Sequence, residues 1–320
     1  MAKENISSWY PVHTSESLGK GKLVAIRLFE TEFILFRAND GSLSVVSRFC
    51  PHMGTDLANG DIVGNYIRCP MHHWKFDGEG VCVDIPRCSD IPKEAKLSKL
   101  PVEEKYGIIF VFFGKEPLFA LPEIIDIQDV AISKVRIIEF ETCQQAVALN
   151  NFELGHLFPV HNRISVGVPK IYNNSLFHFG MKYSTEIVVK RLYDKFLRLC
   201  GFHQMHIDVD CWGGSILTMN NKGTKYVAFG GLAPTGENSC SGYFVTICEN
   251  SAKNPLSRMI QALLLEFSNY LVYAFIKPDL RPFKNMQSKA GVLLPSIDDN
   301  ARKFWKFWKN LPREEVYNAP

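Results

Sequence analysis

Two short segments indicate the fold of the N-terminal part of the chain. They are Cys50-Pro51-His52-Met53-Gly54 and Cys69-Pro70-Met71-His72-His73-Trp74. Each segment places one cysteine and one histidine close together, and sixteen residues separate the two pairs. Pro51, Gly54 and Pro70 suit tight loops, because proline restricts φ and glycine accepts φ values that other residues avoid. The pattern predicts two similar loops that hold a metal centre between them.

The mixture of ligands is the one that a Rieske [2Fe-2S] cluster needs. One iron of such a cluster is bound by two Cys and the other by two His, which raises the reduction potential above that of an all-Cys cluster. We therefore predict that Cys50, His52, Cys69 and His72 bind a [2Fe-2S] cluster. The alternative is a structural zinc site, which also uses two Cys and two His. Zinc motifs keep like ligands together, however, whereas here the ligands alternate along the chain.

A second candidate metal site lies in the segment Asn150-Asn151-Phe152-Glu153-Leu154-Gly155-His156-Leu157-Phe158-Pro159-Val160-His161. On one continuous helix the two histidines would lie about 140° apart. Pro159 predicts a break between them, so that His156 projects from the end of one helix and His161 returns from the next segment. Two histidines and a carboxylate form the facial triad of non-haem Fe(II) oxygenases. Taken alone, the spacing equally fits two hydrogen-bonded histidines at a helix terminus.

Together these motifs resemble the Rieske non-haem iron oxygenases, the family of proteins similar to the α subunits of aromatic ring-hydroxylating dioxygenases. The resemblance includes Trp74, which follows the second cluster histidine, although Met53 stands where many members have a basic residue and His73 where Gly is common. The pattern Asn-x2-Glu-x2-His-x4-His resembles the iron motif of the family, in which the acid is usually Asp.

The resemblance assigns roles to the residues of the second motif. It implies that His156 and His161 bind a mononuclear Fe(II). It also implies that Glu153 is the bridge between the centres, linking the Rieske cluster of one subunit to the mononuclear iron of its neighbour, with His72 as its partner.

The third iron ligand must come from further along the chain, where Asp279, Asp298 and Asp299 are candidates. The run from 277 to 286, Lys-Pro-Asp-Leu-Arg-Pro-Phe-Lys-Asn-Met, resembles the C-terminal region of the 3-ketosteroid 9α-hydroxylase and cholesterol-desaturase branch, which implies that Asp279 is the ligand. The alternative for Asp279 is a helix-start carboxylate beside Pro278. Asp298 and Asp299 are more typical of a capping pair for the helix that follows.

The predicted fold class is α+β with two domains. Strand-prone runs and turns between residues 22 and 113 predict an all-β Rieske domain over residues 1–116, and residues 117–320 are predicted to form the catalytic domain of the mononuclear iron. A helix from about Cys143 to His156, strands around 176–193, 203–219, 225–232 and 242–248, and a long helix near 256–276 are predicted in the second part. The resemblance implies a helix-grip (START-like) antiparallel sheet with flanking helices.

Two apolar segments near the C-terminus need an interpretation. The stretch from Met259 to Ile276 is interrupted by polar residues, which predicts a buried or half-buried helix rather than a membrane span. The last predicted helix places four apolar residues on one stripe, which is typical of a packing face, with a docking surface for an acidic electron carrier as the alternative; they are Phe304, Phe307, Trp308 and Leu311.

Composition limits the partners and the compartment. The 320 residues are 46% hydrophobic and carry a net charge of +3 without long Lys/Arg blocks, which predicts no nucleic-acid partner and makes membrane contact unexpected. Nine cysteines in a chain whose start has no apolar signal region are typical of free thiols and metal ligands in a reducing cytoplasm.

The predicted function is that of the terminal oxygenase component of a Rieske oxygenase system. The chain carries neither a Gly-x-Gly-x2-Gly motif nor a plant-type Cys-x4-Cys-x2-Cys run, so a ferredoxin, a flavin reductase, or both must be separate proteins. The resemblance implies NAD(P)H as the distant electron donor. We expect hydroxylation, demethylation or desaturation of a small apolar molecule with O₂, and the resemblance implies a homotrimer. The alternative is a Rieske-type electron-transfer protein without oxygenase activity.

Overall fold

The structure of the chain is a computed structural model that describes residues 4–29, 31–124, 129–286 and 293–315. The described residues form two compact units. Unit 1 contains those up to Ala120 together with those from Arg313 onward, and unit 2 runs from Leu121 to Pro312. The division of functions between residues 1–116 and 117–320 stays a prediction.

Unit 1 is built from short antiparallel strands. In chain order these are β1 (Glu4–Ile6), β2 (Trp9–Thr14), β3 (Lys22–Leu28), β4 (Thr31–Arg37), β5 (Leu43–Ser47), β6 (Asp61–Val63), β7 (Tyr66–Arg68), β8 (Lys75–Phe76), β9 (Cys82–Asp84), β10 (Lys99–Leu100), β11 (Val102–Lys105) and β12 (Ile108–Phe112). They pair into sheets of order β10-β5-β4-β3, β11-β12-β2 and β6-β7-β8-β9. The β-branched and aromatic residues of β4, β5 and β12 are buried, as their strand propensity leads one to expect.

The two ligand-bearing loops rest on a hydrophobic core within unit 1. Side chains from β4, β5, β7 and β8 form this core, and the cysteines of the loops extend it; its larger members are Ile34, Phe36, Val46, Ile67, Phe76 and Leu97. A 3-10 turn at Leu57–Asn59 follows the first loop. Arg48, before that loop, donates to Oδ2 of Asp56, after it, at 2.6 Å. The pair ties the two ends of the first loop together.

Unit 2 combines one large sheet with helices. Its strands are β13 (Val130–Ile132), β14 (Arg136–Phe140), β15 (Arg163–Tyr172), β16 (His178–Ile187), β17 (Gln204–Trp212), β18 (Ile216–Lys222), β19 (Val227–Gly236) and β20 (Ser239–Glu249). Its helices are α1 (Gln144–Asn150), α2 (Leu157–His161), α3 (Leu192–Leu199), α4 (Pro255–Ile276), α5 (Leu280–Phe283) and α6 (Asp299–Asn310), with a 3-10 turn at Lys277–Asp279 between α4 and α5. After α6, the chain returns to unit 1 as β21 (Arg313–Glu315), which pairs with β1.

The large sheet is antiparallel and has the order β13-β20-β19-β18-β17-β16-β15, with β14 also paired to β20. The long helix α4 is fastened to one edge of this sheet through Asn269, whose amide donates to Ser133 Oγ and to the carbonyl of Lys134, both at 2.8 Å. The predicted α+β class, with an all-β N-terminal part followed by an antiparallel sheet and flanking helices, is confirmed.

Parts of the predicted element pattern around the iron motif are wrong. The single helix predicted from Cys143 to His156 ends at Asn150, and a separate short helix, α2, begins at Leu157. Pro159 does not separate the histidines but lies in the first turn of α2, where its missing N–H costs no helical hydrogen bond. The interruption between α1 and α2 lies before Pro159, around Glu153 to Gly155.

Two further elements were not predicted. Strand β15 follows α2 immediately, and α3 replaces the end of the strand expected up to residue 193. Periodicity alone cannot separate such short segments, because tertiary contacts override weak local preference.

The two C-terminal apolar helices differ in burial. In α6 the predicted packing face is confirmed, since Phe304, Phe307, Trp308 and the following Leu311 are all buried. The prediction of a buried or half-buried α4 is wrong for its first half, where Leu263 is 62% exposed. By length and composition alone, the helical stretch from Pro255 to Phe283 could cross a membrane, and 11% of its most apolar window is buried.

Candidate metal centres

The two cysteine–histidine loops of unit 1 have the same backbone geometry. The N–H of Cys50 donates to the carbonyl of Thr55 at 2.9 Å, and that of Cys69 donates to the carbonyl of Trp74 at 2.9 Å. Four residues after each cysteine, the N–H of Gly54 or His73 donates back to the cysteine carbonyl, at 2.9 and 3.0 Å. The sequence prediction of two similar loops thus holds at the level of individual hydrogen bonds.

This equivalence explains the unusual position of His73. Gly54 has φ +71° and His73 has φ +60°, so both lie in the left-handed region that favours glycine. His73 therefore occupies a position where the loop fold calls for glycine. Its backbone bond to Cys69 agrees with a local role in the loop rather than one in the metal centre.

The cysteines and the histidines of the two loops lie in different environments. Cys50 and Cys69 are buried in the core, 2% and 1% exposed, whereas His52 and His72 lie at the exposed tips. Burial raises the pKa of Cys50 to about 11, and the thiol of Cys69 beside it adds to the rise. The rings of His52 and His72 are 4.6 Å apart between centroids. Thiol lies beside thiol and imidazole beside imidazole, which is the pairing that a cluster with one Cys-bound and one His-bound iron needs.

Trp74 packs against one of the two candidate histidine ligands. Its ring stacks on that of His52, with centroids 4.5 Å apart and planes within 9° of parallel. The stack limits the orientations open to the imidazole and covers one of its faces.

The second candidate site lies in unit 2, where His156, His161 and Asp279 meet. Each offers one ligand atom, and the three atoms lie within 4.8 Å of one another. His156 precedes α2 as its N-cap residue and His161 ends α2, which brings their rings to a centroid separation of 5.2 Å. Asp279 ends the 3-10 turn after α4, so tertiary packing of α4 against α2 completes the group.

The geometry at His161 suits a cation. Its Nε2 is buried and makes no hydrogen bond to any described residue. Oδ1 of Asp279 is nevertheless 3.1 Å away. The two atoms are thus close without the alignment of a hydrogen bond, and a buried polar atom without a partner is costly. A metal ion bound by both would satisfy the nitrogen and the carboxylate together, so the residues present fit a mononuclear iron site.

Glu153 orients His156. Its Oε2 accepts from Nδ1 of His156 at 3.0 Å and from the His156 backbone N–H at 3.0 Å, and its Oε1 accepts from the backbone N–H of Gly155. Burial alone would raise the pKa of Glu153, but these hydrogen bonds outweigh it and hold that pKa below its usual value. Because the carboxylate accepts a hydrogen bond from Nδ1–H, Nε2 of His156 carries no proton and is the candidate ligand atom, with the amide of Asn150 3.4 Å from it.

Asp298 and Asp299, the other candidates for the third ligand, face elsewhere. Oδ2 of Asp298 accepts from the N–H of Leu294 at 2.8 Å, and Asp299 forms an exposed ion pair with Lys303 at 2.7 Å. Asp279 starts α5 but makes no capping hydrogen bond with its side chain, so the helix-start alternative for it finds no support in the contacts.

An apolar cavity opens beside the three candidate ligands. Side chains from α2, the segment before it, α4 and the sheet line it, and they include Leu154, Leu157, Val209, Leu217, Met219, Val272, Phe275 and Ile276. A second apolar cavity shares part of this wall, including Tyr183, Met219 and Phe275, and extends under α3 and α4. Such a setting suits a ligand with a large apolar surface.

Comparison with known families identifies the N-terminal part of the chain. The family model of the Rieske [2Fe-2S] domain matches residues 8–99. Residues 8–99 are a Rieske [2Fe-2S] domain. Both cysteine–histidine loops lie inside the Rieske domain, and the [2Fe-2S] cluster predicted as its cofactor is confirmed, which excludes the zinc alternative.

Curated relatives extend the similarity. The chain is 36% identical over 161 residues to cholesterol 7-desaturase nvd 1 of Ciona intestinalis, covering 48% of this chain and 34% of that one. It is 32% identical over 162 residues to the oxygenase component of 3-ketosteroid-9-alpha-monooxygenase of Rhodococcus rhodochrous, covering 48% and 43%. The matched region thus spans less than half the length of these relatives. The predicted resemblance to the Rieske oxygenases and to this branch is confirmed.

Solved structures show that the fold of the whole chain is shared. NdmB of Pseudomonas putida CBB5 superposes with a TM-score of 0.68 over 96% of each chain at 18% identity. Dicamba monooxygenase bound to dicamba gives a TM-score of 0.69 over 95% of this chain and 96% of that one, also at 18% identity. A likeness at this level of identity concerns the fold, and it covers both units of the chain.

Sequence reasoning missed two residues that support the second site. Phe275 lies one helical turn before Asp279 and stacks on the ring of His161, with centroids 4.2 Å apart. Arg163, which is buried, donates to the carbonyl of His161 at 3.0 Å and to Oδ1 of Asp194 at 2.8 Å. The only signal in the sequence was position: each lies within four residues of a predicted ligand.

Proposed function

We propose that this protein is the terminal oxygenase component of a Rieske non-haem iron oxygenase system. The observation that carries the proposal is the convergence of His156, His161 and Asp279 beside an apolar cavity, in a chain that also contains a Rieske domain. An electron carrier needs the cluster alone. The second group of ligands is what an oxygenase adds to it.

In this proposal each iron has its own ligands. Cys50 and Cys69 would hold one iron of the [2Fe-2S] cluster, and His52 and His72 would hold the other. His156, His161 and Asp279 bind the mononuclear Fe(II), which, when present, activates O₂ with electrons delivered through the cluster.

The protein groups around the second site position its ligands and exclude water. Glu153 keeps the proton on Nδ1 of His156, so that Nε2 faces the metal position. Phe275 covers one face of the His161 ring, and Arg163 holds the main chain of His161 in place. Ligands held in this way need little rearrangement when the metal binds.

The substrate class follows from the cavity. Its lining is dominated by aliphatic and aromatic side chains, which favours a small apolar molecule over a charged one. The relatives are named as a sterol desaturase and a steroid monooxygenase, which supports hydroxylation, demethylation or desaturation of such a molecule.

Electrons would reach the cluster from NAD(P)H through a separate ferredoxin, a flavin reductase, or both. The resemblance supports a homotrimer in which Glu153 of one subunit lies near His72 of its neighbour. Glu153 already accepts from His156 in its own subunit, which is one end of such a bridge. A reducing cytoplasm remains the expected compartment.

Iron analysis of the purified protein, combined with a turnover assay, tests the proposal. About three irons per chain are expected, two in the cluster and one in the second site. Incubation with a reductase, NADH and a panel of apolar compounds should give products that depend on O₂. Two irons per chain, unchanged in His156→Ala, with no oxygen-dependent product, would favour the electron carrier instead.

A further inference from the structure

The outer faces of α3 and α4 form an exposed apolar surface on unit 2, here called the docking face. On α4 its residues recur every three or four positions, as one stripe of a helix does. The docking face consists of Leu192, Phe196 and Leu199 on α3 and Leu256, Ile260, Leu263, Phe267 and Tyr270 on α4. Leu192 and Leu199 are 83% and 87% exposed, and Leu263 is 62% exposed.

The two helices present this face as one continuous surface. The rings of Phe196 and Phe267 contact each other across the gap between the helices, with centroids 5.6 Å apart. Contiguous apolar patches of this kind are uncommon on monomeric proteins and mark interaction surfaces.

The opposite side of α4 is fixed to the sheet, so the helix lies along unit 2. Gln261 donates to the carbonyl of Glu249 at 2.7 Å, and the carboxylate of Glu266 accepts from the N–H of Lys134 at 2.6 Å. Asn269 is bonded to the same region. A helix held along its length in this way offers its other face to a partner.

The exposed charged side chains that α3 and α4 themselves place beside the docking face are basic. Lys195, Arg198 and Arg258 are exposed, and none of them forms an ion pair with a residue that the structure describes. The acidic side chains of the two helices are engaged elsewhere, Asp194 with Arg163 and Glu266 with the backbone of Lys134. An apolar stripe bordered by free cations is the arrangement of helices that lie in the plane of an anionic membrane surface.

We propose that the docking face binds the surface of a lipid bilayer that contains anionic lipids. The inner faces of the same helices line the second apolar cavity through Tyr193, Leu197, Ser268 and Leu271. A bilayer in contact with the outer face would therefore lie next to a cavity suited to apolar molecules. A second copy paired face to face about a two-fold axis is a poorer occupant, since that pairing would bring two basic borders together.

Vesicle flotation of the intact holoprotein tests this proposal without any turnover. The probes are vesicles of phosphatidylcholine alone and of phosphatidylcholine with phosphatidylglycerol. The wild type should float with the anionic vesicles and be released at high salt, because screening weakens the attraction of Lys and Arg for the surface. Leu192→Asp/Leu263→Asp should lose binding by about tenfold or more, since two negative charges replace apolar side chains that would enter the lipid interface.

The matched control is Val168→Asp, which changes an 89% exposed apolar residue of β15 outside the docking face, and it should bind as the wild type does. Lys195→Glu/Arg198→Glu tests the basic border separately, with an expected loss of vesicle binding of about tenfold or more.

Failure of the wild type to float, or equal binding by all variants, would overturn the proposal. So would light scattering that shows the Leu192→Asp/Leu263→Asp variant in a smaller assembly, since the face would then be a subunit interface. None of these results bears on the proposed oxygenase activity.

Discussion

Nε2 of His161 lies 3.1 Å from Oδ1 of Asp279, and His161 makes no hydrogen bond through that nitrogen to any described residue. The two atoms belong to helical segments far apart in the chain, and packing of α4 near α2 brings them together. The contact places the candidate third ligand beside the histidine motif.

Asp279→Ala should remove the mononuclear iron and leave the cluster intact. The iron content should fall from about three to about two per chain, because two histidines alone bind Fe(II) weakly, while the visible spectrum of the cluster stays unchanged. Asp299→Ala is the matched control, since Asp299 forms only an exposed pair with Lys303. Retention of all the iron in Asp279→Ala would exclude this residue as a ligand.

Glu153→Ala should slow the protein without emptying either metal site. The change removes the acceptor for Nδ1 of His156, and loss of such a partner typically costs about 10–100-fold in activity or metal affinity. The measurement is the rate at which the pre-reduced cluster is reoxidised by O₂ in single-turnover experiments, with iron content determined in parallel. Glu141→Ala, at an exposed position, should react as fast as the wild type, and an equally fast Glu153→Ala would contradict a role for Glu153.

Trp74→Leu should destabilise the cluster. The substitution removes the stack on His52, and aromatic pairs contribute about 0.5–1.5 kcal/mol beyond the area they bury. Loss of visible circular dichroism during incubation at moderate temperature reports the lifetime of the cluster, which should shorten several-fold. Trp305→Leu, a change of a half-buried tryptophan in α6 of unit 2, serves as the comparison and should leave that lifetime unaltered.

Asp194→Asn should lower the free energy of unfolding of unit 2 by about 3–5 kcal/mol, the usual effect of breaking a buried ion pair. Asp194 and Arg163 have side chains that are 1% and 2% exposed. Urea denaturation followed by circular dichroism measures the change. In Asp299→Asn, where the pair is exposed, the expected loss is at most about 1 kcal/mol.

The same pair predicts a dependence on pH. Burial alone would raise the pKa of Asp194, but the hydrogen bonds from Arg163 and from the backbone N–H groups of Arg191 and Lys190 outweigh it and lower that pKa. A carboxyl with a lowered pKa in the folded state contributes stability above its unfolded pKa and loses it as the pH falls through the folded value. The difference between wild type and Asp194→Asn should therefore be full at neutral pH and shrink below about pH 4.

Local sequence patterns were sufficient to predict the features that depend on neighbouring residues. A loop that binds metal with a cysteine and a histidine two or three positions apart needs only its own backbone, so both cluster motifs could be identified without a fold. The contact between Glu153 and His156 is also local, because the hydrogen bond joins residues only three positions apart. The strand-prone runs of the N-terminal part likewise predicted an all-β unit, because burial of β4 and β12 on both faces leaves a continuous apolar signal in each.

Tertiary structure decided what depends on distant segments. The resemblance of residues 277–286 favoured Asp279 among the candidate carboxylates, but only the packing of α4 brings it to 3.1 Å from His161, since spacing along the chain does not show which carboxylate approaches the histidines. The support of His161 by Phe275 and Arg163 has the same origin. The exposure of α4 was mispredicted because an apolar helix has the same composition whether its outer face meets protein or not, and only the position of the sheet determines which residues it covers.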